Sequence, residues 1–434
     1  MKKHFALLAT LLLLLVLFSH SCKSLSSGNT EEEQLVARID SLIKQKNYFA
    51  ARDFYKEHYE QLSDLSRQKT GVFLDHAFNR SRLSAEKAEN LLLRFEDELT
   101  DSAKYRIEAL AHINYSREYK YQKAFNSLER LLQDYVHYMT EAEKKNNENT
   151  LLIWKALQGQ PKQKIRITQT LNVPIIRDKA GLQNLLVSSG NTTKNFIFDT
   201  GANLSTITAT TAEEFGVKLL QGSFEVNSIT GEKILSRMGI APEIRLGPVI
   251  IENALFLVFP DDALAFPQID FQINGILGFP VLEALGEIQI TRDDRLVVPL
   301  QQTIAMEQNL ALDFLTPLLY LENKRGKGVY TFDTGANKTM LYNIYLLQHQ
   351  AEYDGTAPDV DYTFGGAGGT TSKKGFYTTF IPVINGKSVA IDSVIVLKEP
   401  VTDTNLFYGN LGQDLIQKFD KMIINFDQMF LKFE

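Results

Sequence analysis

The sequence predicts a multidomain fold, α-helical on its N-terminal side and all-β beyond. Three observations predict it. Across residues 31–158 apolar side chains recur at spacings of three and four, and neither Gly nor Pro occurs between Gly71 and Gly159. Past Gly159-Gln160-Pro161, short runs rich in Val, Ile, Phe and Thr, such as Asn195–Asp199 and Val329–Asp333, alternate with Gly, Asn and Asp turns. That is the texture of strands. Finally, the segment Phe198-Asp-Thr-Gly-Ala-Asn203 returns as Phe332-Asp-Thr-Gly-Ala-Asn337, 134 residues later. A length of 434 residues allows two to four domains, and a chain of this size can bury a sizeable core. With 44% hydrophobic and 23% charged residues, a wholly disordered or fibrous chain is excluded.

The first element is a leader. Lys2 and Lys3 precede an apolar run from Leu7 to Phe18, which is too short to span a bilayer comfortably and reads as a secretory signal over residues 1–21. Ser19, His20 and Ser21 then lead to Cys22, the single cysteine of the chain. A Cys directly after an apolar run and small residues resembles the lipobox of bacterial lipoproteins, although Ser19 stands where that motif usually has Leu. The resemblance implies lipidation at Cys22 and a place in the bacterial cell envelope, anchored to a membrane. The polar stretch 22–30 reads as a tether. One cysteine excludes an internal disulfide and a Cys-based metal site. The seven His, with no His-x-x-x-His pair, argue against a His-based one. No metal and no cofactor is expected. A net charge of −6 without a basic stripe argues against a nucleic-acid partner.

Residues 31–160 read as a helical, repeat-like domain. Tyr48, Ala51 and Tyr55 match Ala85, Ala88 and Leu92, which match Tyr121, Ala124 and Leu128, so the central alanines stand 37 and 36 residues apart. A small residue between larger ones lets two helices approach closely. The pattern resembles tetratricopeptide-type helical hairpins. Nothing in this region looks catalytic; a docking surface for a protein partner is the preferred role, with a spacer and a pro-segment as the alternatives.

The β region reads as two copies of one lobe, 165–300 and 301–434. The 134-residue offset also carries Gly231 to Gly365, Ile276-Leu277-Gly278 to Asn410-Leu411-Gly412, Ile290 to Ile424 and Asp293 to Asp427. A lone Asp-Thr-Gly is a common turn, but two in constant register with further landmarks indicate duplication. The constellation resembles the aspartic proteases, as a single-chain, bilobal pepsin/retropepsin-like β-barrel domain. The resemblance implies that Asp199 and Asp333 are the catalytic pair. It also implies that Thr200 and Thr334 lock the two loops across the axis. Two carboxyl groups about 3 Å apart cannot both ionise, so they share a proton. The ionised one can take a proton from water while the neutral one hydrogen-bonds the substrate carbonyl. Gly201 and Gly335 let the backbone turn its N–H groups toward the carboxylates. Ala202 and Ala336 follow, as in the retroviral enzymes, so no hydroxyl donates there; activity is expected at mildly acidic to neutral pH.

The candidate flaps are Asn227–Lys233, centred on Gly231, and Tyr362–Gly369, with Gly365, Gly366, Gly368 and Gly369. A glycine-rich hairpin tip suits a cover over an extended peptide or protein substrate. Asn410 stands where the family has an apolar residue, a change that can weaken local packing but need not touch the catalytic loop. The expected function is that of an aspartic endopeptidase, lipid-anchored outside the cytoplasm. The alternative is a catalytically silent, lipid-anchored peptide-binding or scaffold protein. A Ser/His/Asp hydrolase finds no support, because Gly-x-Ser-x-Gly is absent.

Overall fold

The computed structural model describes residues 27–434 apart from 228–232, 305–306, 324–325, 351–352, 354, 356, 367–368 and 402–405. Cys22 and the leader therefore lie outside the described residues, as do Gly231 and Gly368. Seven helices come first: α1 (Ser27–Lys44), α2 (Tyr48–Glu57), α3 (Asp64–Ala77), α4 (Ser81–Arg94), α5 (Asp101–Arg117), α6 (Tyr121–Asp134) and α7 (Glu141–Leu157). α1 takes in 27–30, part of the expected tether. Once a helix is nucleated each added residue gains a hydrogen bond, and no proline stands in the way. Asn47, Ser63, Thr100 and Thr140 each accept a hydrogen bond from the N–H three residues on, which caps α2, α3, α5 and α7. Among the described residues no helix is long and apolar enough to cross a membrane.

Successive helices pack on one another through short links, but the repeat register differs from the expected one. The first helices of successive pairs begin at Tyr48, Ser81 and Tyr121, 33 and then 40 residues apart. Ala51 thus corresponds to Ser84 and Ala124 rather than to Ala88. Ser84 and Ala88 are both small and fully buried one turn apart, so size alone could not choose between them. The hydroxyl of Ser84 donates to the Val72 carbonyl at 2.6 Å and marks the close approach of α3 and α4.

Two histidines are sealed inside this helical layer. His76 donates from Nδ1 to Asn114 at 2.8 Å, and the Trp154 indole donates to His112 at 3.3 Å. Burial pulls His76 down to about 4 and His112 to about 3 from the ordinary 6.5. The unfolded chain therefore binds more protons than the folded one below pH 6.5. Their contribution to stability is complete above that pH and is lost as pH falls toward the folded values. By pH 5 the loss is about 2 kcal/mol per histidine. Urea unfolding at pH 7 and pH 5 checks this. A His112→Gln variant should lose about 2 kcal/mol less than the wild type between those two values; an identical loss would refute it.

The β region holds two ten-stranded sheets, one per copy, and a five-stranded sheet shared between them. In the shared sheet, strand 287–291 runs antiparallel to 421–425, with Gln289 opposite Ile423. Those two positions are related by the 134-residue offset, so the pseudo-two-fold axis passes through this pair. In each copy a strand reaching the Asp-Thr-Gly loop lies parallel to a short later strand: Phe198 beside Leu277, and Phe332 beside Leu411. The helices are not a separate spacer. Ile39, Leu42, Phe49 and Leu74 share one buried cluster with Ala311, Leu318 and Val329 of the second copy. Trp154 and Leu157 share another with Phe224, Ile234 and Met238 of the first. Lys46 and Tyr48 both bond Asp313, at 2.7 and 3.0 Å, and Arg117 pairs with Glu283 while lying 5.3 Å above the Phe279 ring.

Candidate active site

Each Asp-Thr-Gly loop leaves a buried strand and is tied back at once. The Asp199 N–H donates to the Leu277 carbonyl at 3.1 Å, and the Asp333 N–H to the Leu411 carbonyl at 3.0 Å. The Gly201 and Gly335 N–H groups donate to Oδ1 of the aspartate two residues earlier, at 2.8 and 2.7 Å. Gly278 and Gly412 pack against equivalent backbone of the two loops, where a Cβ would stand 2.6–2.7 Å from Leu204 and from Lys338.

The threonines interlock the loops. The Thr200 hydroxyl donates to the Phe332 carbonyl and accepts from the Thr334 N–H, both at 3.0 Å. The Thr334 hydroxyl donates to the Phe198 carbonyl at 2.9 Å and accepts from the Thr200 N–H at 3.0 Å. Both threonines are buried, so these four bonds are shielded from water. The crossing brings the carboxyl groups of Asp199 and Asp333 into hydrogen-bond contact with each other. It also explains the glycines. A Cβ on Gly335 would stand 2.4 Å from Asp199 Cγ, and one on Gly201 would stand 2.8 Å from Asp333 Cγ. Burial first, and then the neighbouring Asp333, hold Asp199 well above the usual carboxylate range. The two titrate as one pair.

The pair lies on a cleft of about 510 Å³ between the two copies. One wall is apolar: Ile197, Phe266, Ile269, Phe271, Ile273 and Ile276. Gly335, Asn337, Lys338 and Met340 form the other, and Tyr362, Phe364, Gly365 and Gly366 cover it. These last residues belong to a hairpin in which strand 360–366 pairs with 369–380, Gly366 opposite Gly369. Gly369 has φ +119°, which only glycine adopts without strain. A Cβ on Gly365 would come within 3.8 Å of Phe266, so the hairpin reaches across to the first copy. The first-copy hairpin, whose candidate tip Gly231 lies outside the described residues, behaves differently. Glu225 in its first strand pairs with Lys145, and its N–H donates to Asn149, so α7 grips it. None of its described residues lines the cleft.

Sequence reasoning missed three contributors. Asn410, read from the sequence only as a weakening of local packing that need not touch the loop, does touch it: its Nδ2 donates to Asp333 Oδ2 at 3.0 Å. The signal was present in the register, because position 410 immediately precedes the Leu411 carbonyl that accepts from the Asp333 N–H. Gln413 donates to the Thr334 carbonyl at 2.7 Å and accepts from Arg177 of the first copy at 2.9 Å. The apolar wall 266–273 carries no motif at all. Among the described residues no group of three or more His, Cys, Asp or Glu could hold a metal ion.

Residues 186–281, within the first copy and including Asp199, match a family model described as aspartyl protease. The second copy lies outside that match. No curated protein matches the chain.

Proposed function

We propose that this chain is an aspartic endopeptidase that cleaves peptides or proteins bound in extended form across the cleft. The observation that carries the reading is the pair of identical loops, cross-bonded through Thr200 and Thr334, with Asp199 and Asp333 sharing a hydrogen bond on the cleft floor. One carboxylate takes a proton from water as the water oxygen adds to the peptide carbonyl; the other, neutral, donates to the carbonyl oxygen. Substrate backbone lies between this pair and the hairpin 360–380, with large apolar side chains against the Ile/Phe wall. The remaining elements of the proposal are a lipid anchor at Cys22 in a bacterial cell envelope and a helical region built of tetratricopeptide-like hairpins that meets a protein partner. A groove of about 470 Å³ on the helices, lined by Glu89, Lys104, Glu108, Lys123 and Arg130 among others, offers mixed charge for such contact. Loss of labelled fatty acid from the protein in a Cys22→Ser variant tests the anchor.

The enzyme itself is tested by incubating the purified protein with a library of unstructured peptides from pH 3 to pH 8. Cleavage should peak at mildly acidic to neutral pH. The raised range of Asp199 means that the pair keeps its shared proton to higher pH than an unperturbed aspartate would, which moves the alkaline limb of the profile upward. An optimum below about pH 4 would refute that electrostatic account. Absence of cleavage at every pH would favour the alternative, a peptide-binding scaffold.

A further inference from the structure

The two halves of the site are not equivalent around their carboxylates. Asp333 accepts a hydrogen bond from Asn410 Nδ2 at 3.0 Å in addition to that from the Gly335 N–H. The orientation of the amide is set from behind, since the Thr331 hydroxyl donates to Asn410 Oδ1 at 2.6 Å. Thr331 is buried. Thr331 and Asn410 thus form a chain of donors that ends on Asp333.

The first copy lacks this chain. At the 134-residue offset, Asn410 corresponds to Ile276 and Thr331 to Ile197. Ile197 and Ile276 line the cleft beside Asp199 and can donate nothing. The titratable groups facing the carboxyl pair are each other, Tyr342 behind Asp333, and Lys338 and Tyr362 on the cleft. Asp414, nearby in sequence, is occupied by the Thr339 N–H and hydroxyl.

We propose that Asn410 is a positioning residue that makes the two aspartates unequal, holding Asp333 as the ionised member and leaving the shared proton on Asp199. The proposal rests on the protease reading for its chemical meaning. A donor stabilises the charged form of the carboxylate it touches, and an apolar neighbour favours the neutral form. The upward displacement of Asp199 by burial has the same sense. In the reaction, Asp333 removes one proton from water while the hydroxyl bonds to the carbonyl carbon and Asp199 gives its proton to the carbonyl oxygen. A neutral gem-diol results. Asp333 then delivers its proton to the amide nitrogen as the C–N bond breaks, and Asp199 recovers a proton from one hydroxyl as the carbonyl re-forms. The pair returns to its starting charge state without a proton exchange between the two sides.

The test titrates the full protein, labelled with 13Cγ-aspartate, by NMR, with Asp199→Asn and Asp333→Asn serving to assign the two resonances. In the wild type Asp333 is expected to ionise in the lower of the two steps. Asn410→Ile, which copies the first-copy residue, should raise that step by about one pH unit, a tenfold gain in proton affinity, and should move the acidic limb of kcat/KM upward equally. Thr331→Val leaves the amide in place but frees its orientation, and should shift both in the same direction by less. It keeps the test valid should Asn410→Ile fail to fold. The paired exchange Ile276→Asn with Asn410→Ile should transfer the lower step to Asp199. Ionisation of Asp199 first in the wild type, or unmoved steps in both Asn410→Ile and Thr331→Val, would overturn the proposal. The NMR titration needs no substrate. A wild-type protein that cleaves nothing therefore counts against the protease reading, while the order of ionisation still decides the role of Asn410.

Discussion

Asp199→Asn and Asp333→Asn are each expected to lower kcat/KM by at least about 10³-fold, with the fold retained. Asparagine keeps the shape of the carboxyl group and can still accept from the Gly201 or Gly335 N–H at the existing 2.8 and 2.7 Å. What it removes is the exchangeable proton or the negative charge, and the chemistry needs both in one pair. The double variant should be no worse than about the weaker of the two single ones, because residues acting as one unit are not additive. The thermal midpoint should hold or rise, since either substitution ends the competition of two neighbouring buried carboxyl groups for ionisation. Measured activity within tenfold of wild type in either variant would end the dyad account. A collapse of the thermal midpoint together with activity would instead point to a structural role for that carboxyl group.

Removal of the helical layer, leaving 159–434, is the second large effect expected, and it acts on stability. Ala311, Leu318 and Val329 of the second copy, and Phe224, Ile234 and Met238 of the first, are buried in clusters shared with the helices. Phe49 stacks on Tyr320 at 5.9 Å between ring centres. Each large apolar side chain withdrawn from water contributes about 1.5–3 kcal/mol. A handful of them matches the 5–15 kcal/mol by which a typical domain is stable. The β region alone is expected to aggregate or to lose its cooperative melt. The deletion also strands Asp313 and Glu283 without Lys46 and Arg117. Size-exclusion chromatography and near-ultraviolet circular dichroism check this. A monomeric, cooperatively melting 159–434 would show that the helices are a dispensable spacer. No residue of 27–158 lines the cleft.

How much was legible in advance depends on the kind of interaction. The Asp-Thr-Gly duplication named the floor of the cleft, and the constant offset named its partners Leu277 and Leu411, because a repeated local backbone requirement leaves the same residues at the same spacing. Helices 31–157 were legible from periodicity. Their repeat register was not, since Ser84 and Ala88 satisfy the same requirement for a small side chain. Gly365, Gly366 and Gly369 were placed in a hairpin by composition; that this hairpin covers the cleft while the first-copy hairpin is held by Asn149 and Lys145 depends on what packs behind each one.

Asn410 marks the boundary most clearly. By itself the sequence determined that a polar residue replaces Ile276 in the second copy. Whether its amide met solvent, core or carboxylate was decided only when strand 409–411 settled beside strand 326–332, with Thr331 opposite Asn410. Local rules act through neighbours in sequence, and duplication exposes them by repetition. The order of charge within the Asp199–Asp333 pair depends on a donor, Asn410, 77 residues away from Asp333 along the chain. Only the tertiary structure brings these groups within hydrogen-bond range.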